Sequence, residues 1–453
     1  MKIYVLKQGK PLGYLEEKTF GKISFTYLEG IDQTCYIQGI TQKENFSNEL
    51  FLVFENMFPE NEQIDQIKAQ NNIKTHIELL LYLNDIHGSY TFITEDAYET
   101  YKESSSTHYQ YSEVIDEVLE NDYVFPNILN NYTLSIPEKS RFPDGVSNSK
   151  VIGLSGFQYK FSVTKDDLKK EIRIDEKGQS QYFMKPYNRY YTIFSEHEKD
   201  RLYIPYLLIN EHLFMTLARD SGFQVPYNAI IKDGEDYHYI IKRYDRYKNE
   251  KFDHEEFATM LGYNSDTKYD ASVQEVFKVA KEFVSNDKIE ELLLFFYFST
   301  IIGHGDLHSK NISLIHSSNA INEEGKHLSP YYDISTTHIY RGLKDREIGL
   351  KLLGRNSKIK KEHFLNLADK FGIDLQVLED KMRKITNIFV DKFPAYIEAL
   401  PSEILDLPFH RKYGNHTPLK GILEKYYEQR KTYILKYIDK AWIQKKDIAD
   451  IFK

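Results

Sequence analysis

The chain has 453 residues, more than one small core would use, so two or three domains are expected. Its formal net charge of −9 argues against bulk electrostatic affinity for nucleic acid or acidic membranes. A single cysteine, Cys35, excludes an intramolecular disulfide framework and a cysteine-based metal cluster.

The first residues, Met-Lys-Ile-Tyr-Val-Leu, give way at once to polar sequence and show no signal peptide. The longest apolar run, 292–303, is interrupted by Ser299 and Thr300 and is too short to span a bilayer. It reads as a buried core helix, and a cytoplasmic protein with no membrane partner is expected. Residues 2–6 and 20–28 cluster β-formers around Gly9-Lys10-Pro11-Leu12-Gly13, which predicts a β-meander. Helical spacing follows over 47–86, broken near Pro59. The segment 96–122 is acidic and carries Ser104-Ser105-Ser106, so it is expected to be an exposed insertion or linker. A domain boundary is placed near 130–140, giving units 1–135, 136–250 and 251–453.

In 151–163, Gly153, Ser155 and Gly156 sit between apolar flanks. A loop needs such small residues if its backbone N–H groups are to approach phosphate oxygens. A plain β-hairpin fits the same residues. Lys185 ends a β-like run, and Glu211 heads a helical stretch that Gly222 would stop. A strand lysine paired with a helical glutamate is how kinases grip nucleotide phosphates. Strands are expected at 227–231 and 237–244 around the turn Asp233-Gly234. The second ends in Lys242, Arg243 and Tyr244, where a hinge over an adenine ring would lie.

The most specific signal is 301–314. Asp306 and Asn311 stand as Asp-x-x-x-x-Asn, the spacing of a kinase catalytic loop. The carboxylate can orient an acceptor hydroxyl and take its proton, and the amide oxygen five positions later can hold Mg²⁺. His308 lies between them, where it can steady a phosphate. Asp333, in Tyr331-Tyr332-Asp333, can serve as a second Mg²⁺ ligand. Taken singly, each of these residues also fits a polar loop or a turn cap. Beyond Asp333 the chain reads mainly helical, and the basic residues Lys425, Arg430, Lys431, Lys436, Lys440, Lys445 and Lys446 read as a solvated helical face.

The order of these parts resembles the HipA family of bacterial serine/threonine kinases, the toxins of HipBA-type toxin–antitoxin pairs. The likeness is carried by Gly156-Phe157-Gln158-Tyr159-Lys160, Asn210-Glu211, Lys242-Arg243-Tyr244-Asp245-Arg246, Lys268-Tyr269, the run from Asp306 to Asn311, and Pro330-Tyr331-Tyr332-Asp333. Gly13-Tyr14-Leu15, Asn56-Met57-Phe58-Pro59-Glu60 and Gly88-Ser89-Tyr90 resemble the family's N-terminal subdomain. The resemblance implies an α+β, two-lobed protein-kinase-like fold with a small β-rich N-terminal subdomain and a mainly helical C-terminal lobe. It implies ATP and Mg²⁺, with Lys185 and Glu211 at the phosphates and Gly153, Ser155, Gly156, Lys242, Arg243 and Tyr244 around the nucleotide. Asp306 becomes the base, with His308 and Lys310 beside it, and Asn311 and Asp333 become the metal ligands. The implied partner is a HipB-like helix-turn-helix antitoxin, through which alone DNA would be met. The implied target is a protein such as an aminoacyl-tRNA synthetase, with growth arrest and persistence as the outcome.

The sequence departs from the family at two places. Gly153 stands where the best-known member carries the serine that it autophosphorylates, leaving Ser155 as the candidate autophosphorylation site. The hinge reads Lys-Arg-Tyr where the family often has Glu-Arg-Phe. The loop from His304 to His308 also resembles that of aminoglycoside and choline phosphotransferases, so a small-molecule kinase stays open as an alternative, as does a kinase-like binding module without chemistry.

Overall fold

The computed structural model describes residues 1–18, 21–58, 61–82, 86–103, 109–135, 160–175, 180–187, 206–317, 325–340, 343–412 and 415–447. Gly153, Ser155 and Gly156 lie outside them. The architecture is α+β, with β-rich layers toward the N-terminus and helices toward the C-terminus.

The first sheet is antiparallel. It comprises β1 (Lys2–Lys7), β2 (Lys10–Glu17), β3 (Ile23–Tyr27), β4 (Glu44–Ser47) and β5 (Tyr90–Thr94), in the order β4-β3-β2-β1-β5. Ile3, Val5, Leu15 and Phe25 pack with Phe54, Ile77 and Leu80 from the helical stretch between β4 and β5, forming a core of their own. The turn expected over residues 9–13 is tighter than that, and β2 already begins at Lys10. Gly13 is a strand residue facing β3, where a Cβ would come 2.5 Å from the Thr26 carbonyl and 2.7 Å from the Phe25 ring.

The second sheet has seven strands: β6 (Ile128–Leu129), β7 (Thr133–Ser135), β8 (Phe161–Asp166), β9 (Glu171–Ile174), β10 (Tyr182–Lys185), β11 (Asn228–Asp233) and β12 (Asp236–Lys242). Their order is β6-β11-β12-β10-β8-β9-β7, so the short β6 and β7 form the two edges. The expected hairpin is present as β11–β12, turning at Gly234 with φ +60°.

The segment 96–122 corrects the expectation of an exposed insertion. Its later part is the helix Tyr111–Leu119, which buries Tyr111, Val114, Val118 and Leu119. Tyr111, Val114 and Val118 pack against Tyr244, Tyr247 and Phe252, just past β12. These apolar positions recur at helical spacing among acidic neighbours, a narrow stripe that overall acidity conceals. Glu120 ends the helix in left-handed backbone, φ 45°, and receives the Lys242 ammonium at 2.6 Å.

The helical part centres on Asn286–Ile302, buried along its whole length from Leu292 to Ile302. A helix apolar on all sides belongs inside a bundle. The helices Leu375–Ala399 and Leu419–Tyr433 enclose it, and Tyr297 Oη meets Thr386 Oγ1 at 2.6 Å. Arg430 does not belong to the expected solvated basic face. It is buried, donates to Ile301 O at 2.7 Å and also donates to Thr300 O, so its charge satisfies the last carbonyls of the central helix. No helix among the described residues is long and apolar enough to cross a membrane.

Candidate active site

Three chemically distinct pieces meet beside the second sheet. Strand β10 ends in Lys185, the helix Leu207–Asp220 presents Glu211, and the stretch after the catalytic-type loop presents Asp333. Lys185 Nζ stands 2.7 Å from both carboxylate oxygens of Glu211 and 2.7 Å from Asp333 Oδ1. The Lys185 and Glu211 side chains are 5% and 2% exposed, whereas Asp333 keeps 35% of its side chain open. Two carboxylates therefore share one ammonium, and only one of them faces solvent.

The charges sort accordingly. Burial pushes Glu211 up to about 7, with the Asp333 charge adding to the shift and Lys185 opposing it. Burial also works to raise Asp333, but Lys185 and Lys160 outweigh it and hold that carboxyl far below its usual range. Burial and the like charge of Lys185 bring Lys160 down to about 8. Asp333 sits in left-handed backbone with φ +58°, a conformation that aspartate tolerates better than most residues.

Gly303 terminates the central helix at φ +69°, where a Cβ would lie 2.4 Å from the His338 ring, so the chain can turn sharply into the loop. The loop closes on itself through Asn311 Oδ1, which accepts from His308 N–H at 3.0 Å. Asn311 Nδ2 then lies 3.4 Å from Asp333 Oδ2. Ser309 holds the neighbouring chain by donating to Lys268 O, from its N–H at 3.1 Å and its hydroxyl at 2.8 Å. This brings Tyr269 over the loop. Its hydroxyl donates to the Asp306 carboxylate and its ring meets His308 edge-on at 5.2 Å. Asp306 is exposed at the surface, yet desolvation by the protein packed around its carboxyl raises its pKa, against the pull of Tyr269 and Lys268.

A cavity of about 740 Å³, open mouth included, joins these groups. Lys160, Lys185, Glu211, Asn311 and Asp333 form its charged part, and Phe183, Ile241 and Tyr244 its apolar part. Asp306 is not in that lining and is tied to it through Tyr269 and His308. Lys310 lines the cavity, yet its ammonium is bound to Asn56 O and Ser265 Oγ, both at 3.1 Å. The side chains expected at a hinge are likewise held by the scaffold. Lys242 pairs with Glu120, Arg243 donates to Ile86 O at 3.0 Å and lies over the Phe183 ring at 4.3 Å, and Tyr244 Oη meets His254 Nε2 at 2.8 Å.

A small hard cation held jointly with phosphate suits the firmly ionised Asp333; Asn311 could join it through its carboxamide oxygen, which here accepts from His308 N–H while Nδ2 faces Asp333. Among the described residues no group of three or more His, Cys, Asp or Glu could hold a metal alone. Sequence reasoning gave no role to Lys160, His87, Lys268, Tyr269 or Tyr332, all of which line the cavity or touch the loop. Lys160 and Lys268-Tyr269 carried a signal as part of the family resemblance. His87 carried none, because it reaches the site from the N-terminal part of the chain.

A family model described as the HipA-like C-terminal domain matches residues 152–396. A Sinorhizobium fredii protein bearing the name "putative kinase" is 27% identical over 268 residues, which make up 56% of this chain and 60% of that protein. A Haemophilus influenzae protein of the same name is 24% identical over 260 residues, 53% of this chain and 70% of that one. The match to the first relative thus spans less than two thirds of its length. HipA of Shewanella oneidensis MR-1, solved with HipB and operator DNA, aligns with a TM-score of 0.65 at 15% identity, covering 96% of this chain and 97% of its own. That likeness is one of fold. With more than half of its length matched by the family model, the chain belongs to the HipA family.

Proposed function

We propose that the chain is an ATP- and Mg²⁺-dependent serine/threonine protein kinase that acts as the toxin of a type II toxin–antitoxin pair. The observation that carries the reading is the convergence of Lys185, Glu211 and Asp333 on one cavity that also holds Asn311. Phosphoryl transfer asks a protein mainly to position its reactants and to place charge where charge develops. Lys185, fixed from behind by Glu211, would turn from Asp333 to the phosphates when nucleotide enters. Asp333 and Asn311 would hold Mg²⁺, which supplies charge neutralisation on the phosphate oxygens. Asp306 would align the acceptor hydroxyl and take its proton, and desolvation makes it a stronger base than a free aspartate. His308 would steady the loop and the phosphate, and Lys310 would hold the loop against Asn56. Gly153, Ser155 and Gly156 would cover the phosphates, with Ser155 the candidate for autophosphorylation.

The finer role rests on the family. A HipB-like helix-turn-helix antitoxin is the proposed partner and would carry the DNA contact, in keeping with the net charge of −9 on this chain and with the HipB and operator DNA found with the solved HipA. An aminoacyl-tRNA synthetase in the cytoplasm is the proposed target class, and growth arrest is the outcome. In this reading, residues 1–135 form the N-terminal subdomain, 136–250 the nucleotide-gripping part and 251–453 the catalytic lobe. Induction of the wild-type chain and of Asp306→Asn in a bacterial host, followed by mass spectrometry of phosphoproteins, tests it. Growth arrest with new phosphoserine or phosphothreonine only for the wild type is expected. Label from ATP found solely in small metabolites would favour the aminoglycoside- or choline-type alternative.

A further inference from the structure

The apolar part of the cavity is not walled by the kinase-like region alone. His87, from the turn leading into β5, lines it together with Phe183, Ile241 and Tyr244. Its ring stacks on His254 at 4.9 Å and 30°, and it meets Phe183 edge-on at 6.2 Å and 85°.

The backbone on either side of His87 is bound to the segment that follows β12. Gly88 N–H donates to Asp245 Oδ2 at 3.0 Å, and Gly88 O accepts from Arg246 at 2.9 Å. Ile86 O accepts from Arg243 at 3.0 Å and from Arg246 at 2.7 Å. Gly88 takes φ +73°, with the space of a Cβ only 3.2 Å from His254 N, so the turn is pressed against the backbone at His254. These charge-assisted bonds fix the imidazole relative to the hinge far more firmly than a loop would alone.

What the ring offers is also defined. Among the described residues no hydrogen bond engages the ring, and it lines the cavity. Burial and the neighbouring His254 keep it neutral, leaving one N–H donor and one lone-pair acceptor. Of the hinge backbone, Lys242 N–H is spent on Tyr227 O at 2.8 Å and Arg243 N–H on Gln181 O at 2.7 Å, so neither of these two donors is left for a base. A flat heterocycle with a mixed donor and acceptor edge suits this combination of an apolar wall and a neutral imidazole.

We propose that His87 is a base-recognition residue, an imidazole from the N-terminal subdomain that hydrogen-bonds the purine edge of the bound nucleotide while Phe183 and Ile241 pack against the ring. The inference rests on the nucleotide-site reading above. It makes the N-terminal subdomain part of the nucleotide pocket.

The test is direct binding, by calorimetry on the full chain, of Mg·ATP and of inorganic tripolyphosphate, which has the phosphates without the base. His87→Phe keeps a ring to stack on His254 and removes both polar atoms. It is expected to weaken ATP binding about tenfold, the worth of one buried hydrogen bond, and to leave tripolyphosphate unchanged. His87→Gln, which keeps a donor and an acceptor, is expected to recover part of the loss. Lys185→Met, as the reference, should weaken both ligands. Unchanged ATP affinity in His87→Phe, or an equal loss for both ligands, would overturn the assignment while leaving the nucleotide site intact. Failure of the folded wild-type chain to bind ATP at all would overturn the nucleotide-site reading itself and this inference with it.

Discussion

Asp333 Oδ1 lies 2.7 Å from Lys185 Nζ across 148 residues of sequence, and it does so from a left-handed backbone with φ +58°. The contact pulls the only solvent-facing acid of the cluster onto the lysine that Glu211 holds from behind. Asp333→Asn isolates the charge, because asparagine tolerates the same left-handed conformation. We expect phosphotransfer to fall at least a hundredfold with the melting temperature little changed, measured with labelled ATP and by circular dichroism. Asp333→Ala should lose the same activity and also stability, since alanine pays for the backbone.

Lys185→Met tests the buried half of the cluster. Glu211 would be left without its counter-charge at 2% side-chain exposure. Stranding one member of a buried pair costs about 3–5 kcal/mol. Urea unfolding should show that loss for Lys185→Met. The double variant Lys185→Met with Glu211→Gln should recover much of the stability and none of the activity.

Tyr269 and Asp306 give a pH prediction with a definite sign. Desolvation raises the carboxyl, and the Tyr269 hydroxyl pulls it back down. The acid limb of kcat/KM should therefore lie above that of an ordinary aspartate. Tyr269→Phe removes the lowering contact, so the limb should move to still higher pH. A limb that stays in place would separate Asp306 from the rate-determining proton transfer.

Stability should fall on mild acidification. Burial holds His212, His254 and His304 down to about 4 and His338 down to about 3, from an ordinary 6.5. Each is neutral in the fold and takes a proton on unfolding once the pH drops below about 6.5. Its contribution is complete above that value and is lost as the pH falls toward the folded pKa. Glu211 works the other way. Raised to about 7, it favours the folded chain below its ordinary 4.5 and disfavours it as the pH rises through 7. These histidines, joined by the firmly ionised Asp333, oppose the raised carboxyls of Glu211 and Asp306, and the denaturant midpoint is expected to decrease from pH 6.5 to 4, with His212→Gln flattening the slope.

Much of the candidate site's geometry was legible because its parts are local. Asp306 and Asn311 stand at a spacing that one tight loop dictates, and Lys185 and Glu211 each sit on an element with a clear period. The apolar run ahead of the loop, broken by Ser299 and Thr300, reads as a buried helix and is one. What escaped depends on distant contact. The stripe of Tyr111, Val114 and Val118 lies hidden among acids, and Gly13 passes for a turn residue until Phe25 is seen across from it. Arg430 looks like surface charge until the carbonyls of Thr300 and Ile301 are found beneath it. Lys310 joins the loop to Asn56, 254 residues earlier, and His87 reaches the cavity from the other end of the chain. No local pattern encodes either contact.

Transfer of the terminal phosphoryl group of ATP is the activity that the site is proposed to perform, and it can be measured directly. Purified wild-type chain and Asp306→Asn, each confirmed as folded, would be given γ-labelled ATP, Mg²⁺ and bacterial lysate protein. We predict label on protein serine or threonine with the wild type and a decrease of about 10²–10⁴-fold with the variant. Equal labelling by the two proteins, or no labelling by a wild type that binds ATP, would contradict that proposal.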